Sequence, residues 1–187
     1  MKALAAAMAL GFALGLTALP AQAAVTVLGH GPGNQCYLAA RFNLDPAAGI
    51  EACNQALLMP LSLADRAGTH VNRGALEVAL GDEDKALEDF NTAIAENPRL
   101  GDAYLNRGAM LVNSKQYQQA RADILRGIAL GPSMPEVGYY DLGIVEQRLG
   151  HDQEAFAAFQ KAVSLAPYFQ PAIHALEGFS SEPPVPA

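Results

Sequence analysis

Hydrophobic positions in this chain recur on two scales. Locally, Gln35 to Phe42 and Ala47 to Met59 carry apolar residues three and four apart, the spacing that lines one face of an α-helix. On the longer scale the pattern copies itself. Gly74, Ala86, Phe90, Ala93 and Pro98 return 34 residues later as Gly108, Ala120, Ile124, Gly127 and Pro132. They return after a further 35 as Gly143, Ala155, Phe159, Ala162 and Pro167. Small residues at two fixed offsets let two helices approach closely, a bulky residue fills the space beside them, and a proline closes the unit. Three units in register predict an all-α fold, an α-solenoid of helix-turn-helix repeats.

The pattern resembles the tetratricopeptide repeat, which runs aromatic-x2-Leu-Gly-x2-Tyr, then Ala-x3-Phe, Ala and Pro. The units are 67–100, 101–134 and 136–169. The aromatic slot holds His70, Tyr104 and Tyr139, and the Leu-Gly pair reads Arg73-Gly74, Arg107-Gly108 and Leu142-Gly143. The Tyr slot departs from the family, with Glu77, Leu111 and Glu146.

Punctuation residues place the elements. Ser62-Leu63-Ala64-Asp65 is close to a capping box, so the first helix of the array should start near Leu63 and run to Leu80, where Gly81 ends it. Asp82 to Asp84 then open the next helix with the negative charge its dipole favours. Gly150 and His151-Asp152-Gln153-Glu154 repeat this arrangement in the third unit. Gln170 to Leu176 opens with a proline and continues with apolar spacing, predicting a short helix that covers the last hydrophobic face. The repeats and this cap span 62–179, and a helical hairpin at 34–61 covers the first face. Together they should hold roughly eight helices.

One pair of positions changes together. Arg73 and Asp89 become Arg107 and Asp123 in the second unit, and Leu142 and Ala158 in the third. If each arginine faces its aspartate across the hairpin, both charges must go together, because removing one leaves the other uncompensated.

Cys36 and Cys53 are the only cysteines. Asn43-Leu44-Asp45-Pro46 holds turn chemistry between two helical stretches, so an antiparallel hairpin brings the cysteines toward its open end. They are expected to form a disulfide, worth roughly 3 kcal/mol for a loop of this size in the chain-entropy model. The alternative is a pair of buried free thiols. No C-x-x-C spacing supports a redox role.

The first 23 residues look like a secretory signal: Lys2, an uncharged run from Ala3 to Leu16, and a small-x-small site at Ala21-Gln22-Ala23. Cleavage after Ala23 would leave a linker over 24–33, and the chain would be periplasmic or secreted; the alternative is an uncleaved anchor. The remainder loses one lysine from 12 basic and 19 acidic residues, moving the net charge from −7 to −8. That balance disfavours nucleic acid and anionic lipid as partners. At the other end, 180–187 is proline-rich and is expected to be a loose tail.

No catalytic constellation is visible. His30, His70, His151 and His174 are scattered, with no i,i+4 pair and no flanking cysteine, and no G-x-S-x-G or phosphate-loop motif occurs. Asp82-Glu83-Asp84 lacks the alternating spacing of a calcium loop. Neither metal nor cofactor is expected, and no enzyme can be argued.

What the resemblance implies is a concave face lined by the first helix of each unit, binding a protein or peptide. Carried over, the inward positions are Val71, Asn72, Ala75 and Val78; then Leu105, Asn106, Ala109 and Asn113; then Tyr140, Asp141, Ile144, Gln147 and Arg148. The family's groove for a terminal carboxylate uses lysines and asparagines. Here Val71, Ala75, Val137 and Asp141 stand at most of those positions, and only Asn106 matches. Two functions follow as expectations. The first is a periplasmic, non-catalytic interaction module binding through the groove. The second is an accessory subunit docking on an envelope assembly through its outer face or termini.

Overall fold

The structure, a computed structural model, describes Val25 and residues 31–179. The signal and tail segments expected at 1–23 and 180–187 lie outside the described residues. Among the described residues every regular element is an α-helix, and there are nine. They are α1 (Pro32–Phe42), α2 (Pro46–Leu57), α3 (Leu63–Leu80), α4 (Glu83–Glu96), α5 (Gly101–Asn113), α6 (Tyr117–Leu130), α7 (Pro135–Leu149), α8 (Asp152–Leu165) and α9 (Gln170–Glu177). The count exceeds the expected eight because the hairpin, three pairs and the cap each contribute in full.

Local chemistry sets the boundaries. The Ser62 hydroxyl accepts the Asp65 N–H at 3.1 Å and donates to the Asp65 carboxylate at 2.7 Å, so the cap starts α3 where the sequence places it. Gly81 and Gly150 end α3 and α7 with φ of 81° and 80°, a left-handed conformation that glycine adopts without a Cβ clash. α1 begins at Pro32, three residues before the apolar spacing becomes legible, because proline suits the first helical turn.

Successive helices pair antiparallel, α3 with α4, α5 with α6 and α7 with α8, while α3, α5 and α7 also stand side by side. The repeated glycines explain the close crossings. A Cβ on Gly74 would come 2.7 Å from the Phe90 ring, and one on Gly108 would come 2.7 Å from Ile124. Phe90, Ile124 and Phe159 are fully buried opposite these glycines.

The co-varying charges meet as expected. Arg73 donates from Nε and Nη2 to the two Asp89 carboxylate oxygens, both at 2.7 Å, and Arg107 does the same to Asp123 at 2.7 and 2.8 Å. Each third guanidinium nitrogen reaches back one hairpin, Arg73 to Asn54 and Arg107 to Asn91. These planar forks stitch neighbouring hairpins together. In the third unit the apolar Leu142 and Ala158 replace the pair.

Cys36 and Cys53 are bridged, with Cα atoms 4.8 Å apart and neither residue exposed. The bond joins the early part of α1 to the later part of α2, at the open end of the hairpin. That hairpin packs on α3 through Ala39, Ala40, Ala52 and Leu76.

Candidate functional site

The side-by-side packing of α3, α5 and α7 aligns one repeat position into a row: Asn72, Asn106 and Asp141. All three are buried. Each member is occupied differently. The Asn72 carboxamide holds both backbone groups of one residue, accepting the Val25 N–H at 2.8 Å and donating to the Val25 carbonyl at 2.8 Å. The Val25 side chain packs beside Ala67, Val71, Ala93 and Ala103. Asn106 donates to the Asp102 carbonyl of its own helix at 2.8 Å. Asp102 in turn accepts the Ser133 N–H and hydroxyl at 3.0 and 2.7 Å, which ties the start of α5 to the loop before α7. Asp141 is fully buried and neither of its carboxylate oxygens has a hydrogen-bond partner. Burial holds its carboxyl well above the usual aspartate range.

The expected inward residues divide into two sets. Asn113, Gln147 and Arg148 are exposed, and Ala75 and Val78 are half-buried. Val71, Asn72, Leu105, Asn106, Ala109, Tyr140, Asp141 and Ile144 are instead buried, which corrects the expectation of an open face at those positions. The reason is packing. Leu105, Tyr140 and Ile144 join the central core with Ile124 and Phe159, and the Tyr140 ring lies 5.8 Å from Phe159 and 5.6 Å from Phe169. Each first helix therefore touches its own partner helix and a neighbouring first helix, leaving a narrow polar row rather than a broad surface. Tyr140 is a core residue, and truncating it would disturb the fold as well as any ligand.

A second concavity, of about 460 Å³, lies between α2, α3 and α4 and is lined by Asn54, Arg73, Glu77, Asp82, Lys85 and Asp89. Its charges mostly satisfy one another: Asp89 holds Arg73 and also meets His70 Nδ1 at 2.8 Å, and Lys85 pairs with Asp82. Glu77 stands apart, with Oε2 buried and unpartnered. Burial, with repulsion from Asp89 second, pushes its carboxyl up to about 7. Sequence patterning marked Glu77 only as a departure from the family's Tyr slot and gave no sign of its unpartnered burial. Among the described residues, no group of three or more His, Cys, Asp or Glu side chains could hold a metal ion.

Residues 138–169 match the family model described as "Tetratricopeptide repeat". The chain is also 32% identical over 87 residues to mouse tetratricopeptide repeat protein 28, a stretch covering 46% of this chain and 4% of that relative. The third unit is a tetratricopeptide repeat, and the two units before it fold in the same way. Among solved structures it is similar to a thermophilic TPR protein of Thermus thermophilus, at 22% identity and a TM-score of 0.66, covering 80% of this chain and 81% of that one. It is also similar to the second TPR domain of the human RPAP3 protein, solved in complex with an HSP70 peptide. That likeness has 21% identity and a TM-score of 0.57, covering 63% of this chain and 97% of that one. At such identities the likenesses establish the fold. The row has no lysine for a terminal carboxylate: Val71 and Val137 are buried and apolar, and Asp141 is acidic.

Proposed function

We propose that this chain is a non-catalytic interaction module of the periplasm that holds an extended segment of a protein or peptide along its concave row. The observation that carries the reading is the Asn72 carboxamide paired to both backbone groups of Val25. An extended residue turns its N–H and C=O to the same side, and one carboxamide offers the complementary acceptor and donor. Such a contact reads backbone rather than side chain. Val25 uses it from within the chain, and a partner segment would continue along the equivalent positions, Asn106 and Asp141. The peptide bound to the human RPAP3 domain supports the same use of the fold. Export is supported by the signal-like pattern of 1–23 and by the buried Cys36–Cys53 bridge, a bond favoured in oxidising compartments.

Retention of a tryptic digest of the envelope fraction on the immobilised full chain tests the reading. Asn106→Ala should retain peptides about tenfold less well, the loss of one hydrogen bond of about 1–1.5 kcal/mol. Asn72→Ala, which releases Val25, should leave retention near the wild-type level. Undiminished retention by a folded Asn106→Ala variant would favour docking through the outer face.

A further inference from the structure

We propose that the cavity between α2, α3 and α4 is a binding site for a guanidinium group, with Glu77 as the carboxylate that receives it. The site lies apart from the concave row and does not depend on how that row is used.

The repeats carry an internal comparison, because the third unit holds the same glutamate with its partners in place. Glu77 and Glu146 occupy one repeat position, which Leu111 fills in the second unit. Both oxygens of Glu146 are held by nitrogen. Arg121 donates from Nε to Oε1 at 2.7 Å, and His151 Nδ1 meets Oε2 at 2.7 Å. Arg121 comes from α6, the second helix of the preceding unit, and His151 from the turn before α8.

The equivalents of those two residues around Glu77 carry no positive charge. Asn54 and Asn91 each accept from the arginine of the next hairpin, which aligns α2 with α4. Four residues before them stand Ile50 and Leu87, and 34 residues after Leu87 stands Arg121. Ile50 therefore takes the place of the arginine. Asp82 follows Glu77 by five residues, as His151 follows Glu146, and takes the place of the histidine. Glu77 is left with Oε2 buried and unpartnered, and the residue is only 6% exposed. Ile50, Glu77 and Asp82 all line the cavity, so its open space runs along the places that the two partners fill in the third unit.

The charge of the lining favours a cation. Four acids, Glu77, Asp82, Glu88 and Asp89, stand with two bases, Arg73 and Lys85, a balance of −2 when all are ionised. The bases are committed, Arg73 to Asp89 and Asn54, and Lys85 to Asp82. A buried carboxylate without a partner is unfavourable, and an opposite charge with good hydrogen bonds offsets the cost. A guanidinium is permanently charged and more weakly hydrated than an ammonium, which suits a site that must strip water from its ligand. The cavity, about 460 Å³, falls within the usual range for small-molecule sites.

A proton on Glu77 competes with that ligand. Burial, then repulsion from Asp89, raises its carboxyl to about 7; Arg73 opposes the rise and Asp82 adds to it. Lys85 and Glu88 complete the charged lining, while α2 contributes the uncharged Ile50 and Asn54. A ligand that takes only the ionised form should bind about tenfold more tightly at pH 8 than at pH 6.

Titration of the full chain with ethylguanidinium, followed by nuclear magnetic resonance, tests the assignment. Wild type should bind with a Kd of about 1 mM or tighter at pH 8 and about tenfold more weakly at pH 6. Ethylurea, which has the same shape without the charge, should not bind. Glu77→Gln should bind ethylguanidinium at least about tenfold less well, lose the pH dependence and keep its melting temperature. Ile50→Arg, which supplies from within the guanidinium that Arg121 gives Glu146, should exclude the probe. N-acetylarginine N-methylamide separates the sources. Binding as tight as that of ethylguanidinium assigns the site to an arginine side chain of a protein; its exclusion assigns the site to a free small guanidinium. No binding of either probe, equal binding to Glu77→Gln, or undiminished binding to folded Ile50→Arg would overturn the proposal. Each of those results leaves the concave-row reading standing.

Discussion

Phe159→Ala should lower the stability of the folded chain by about 3–5 kcal/mol, the usual cost of truncating a fully buried aromatic side chain. For a domain of this size that is on the order of 10 °C in melting temperature. The residue has no exposed surface and sits where three parts of the array meet. Its ring lies against Gly143 of α7, 5.8 Å from the Tyr140 ring and 6.0 Å from that of Phe179 just beyond α9. Removing it leaves a cavity that the glycine side cannot fill, because Gly143 has no side chain to move inward. Urea unfolding followed by far-ultraviolet circular dichroism measures the change. A loss below about 1 kcal/mol would mean that α7, α8 and α9 do not close on this ring.

Removing the bridge should have a comparable effect at the other end. Cys36 and Cys53 enclose a sequence separation of 17 residues. The double replacement Cys36→Ala with Cys53→Ala should cost about 3 kcal/mol, within the 2–5 kcal/mol typical of native disulfides in small exported domains. The cost should fall first on α1 and α2. The covering hairpin offers mostly alanines to α3, Ala39, Ala40 and Ala52 around Leu76, and such small side chains bury little apolar area each. Hydrogen exchange should show α1 and α2 losing protection while α5 to α8 keep theirs. Equal loss in every helix would show that the hairpin and the repeats unfold as one unit.

Much of the fold was legible because the repeat carries its own internal control. A glycine opposite a bulky residue at a constant offset has one simple explanation, and the Gly74–Phe90, Gly108–Ile124 and Gly143–Phe159 contacts supply it. The Arg–Asp pairing was equally readable, because a charge pair that disappears as a pair is informative even within one sequence. What escaped was everything set by the side-by-side stacking of first helices. Helical periodicity assigns a residue to one face or the other. Val71, Leu105 and Tyr140 lie on a face that meets a neighbouring repeat, so positions expected to line an open groove are buried.

The contact at Asn72 was illegible for a different reason. Val25 lies 47 residues away in a stretch with no periodicity, and nothing in its own identity marks it as a backbone ligand. Asp141 was visible as a departure from the family's groove. The sequence could not show that neither of its oxygens has a partner.

The central claim is that partners are held on the concave row. Its most direct test is site-specific photo-crosslinking in the native envelope fraction, with the photoreactive residue placed at Asn113 or Gln147 on first helices, or at Gln119 on α6. All three positions are exposed, so the label should not disturb the core. The account predicts adducts to a common partner from Asn113 and Gln147, competed away by the peptides that the immobilised chain retains, and none from Gln119. Adducts from Gln119 alone, indifferent to those peptides, would contradict it.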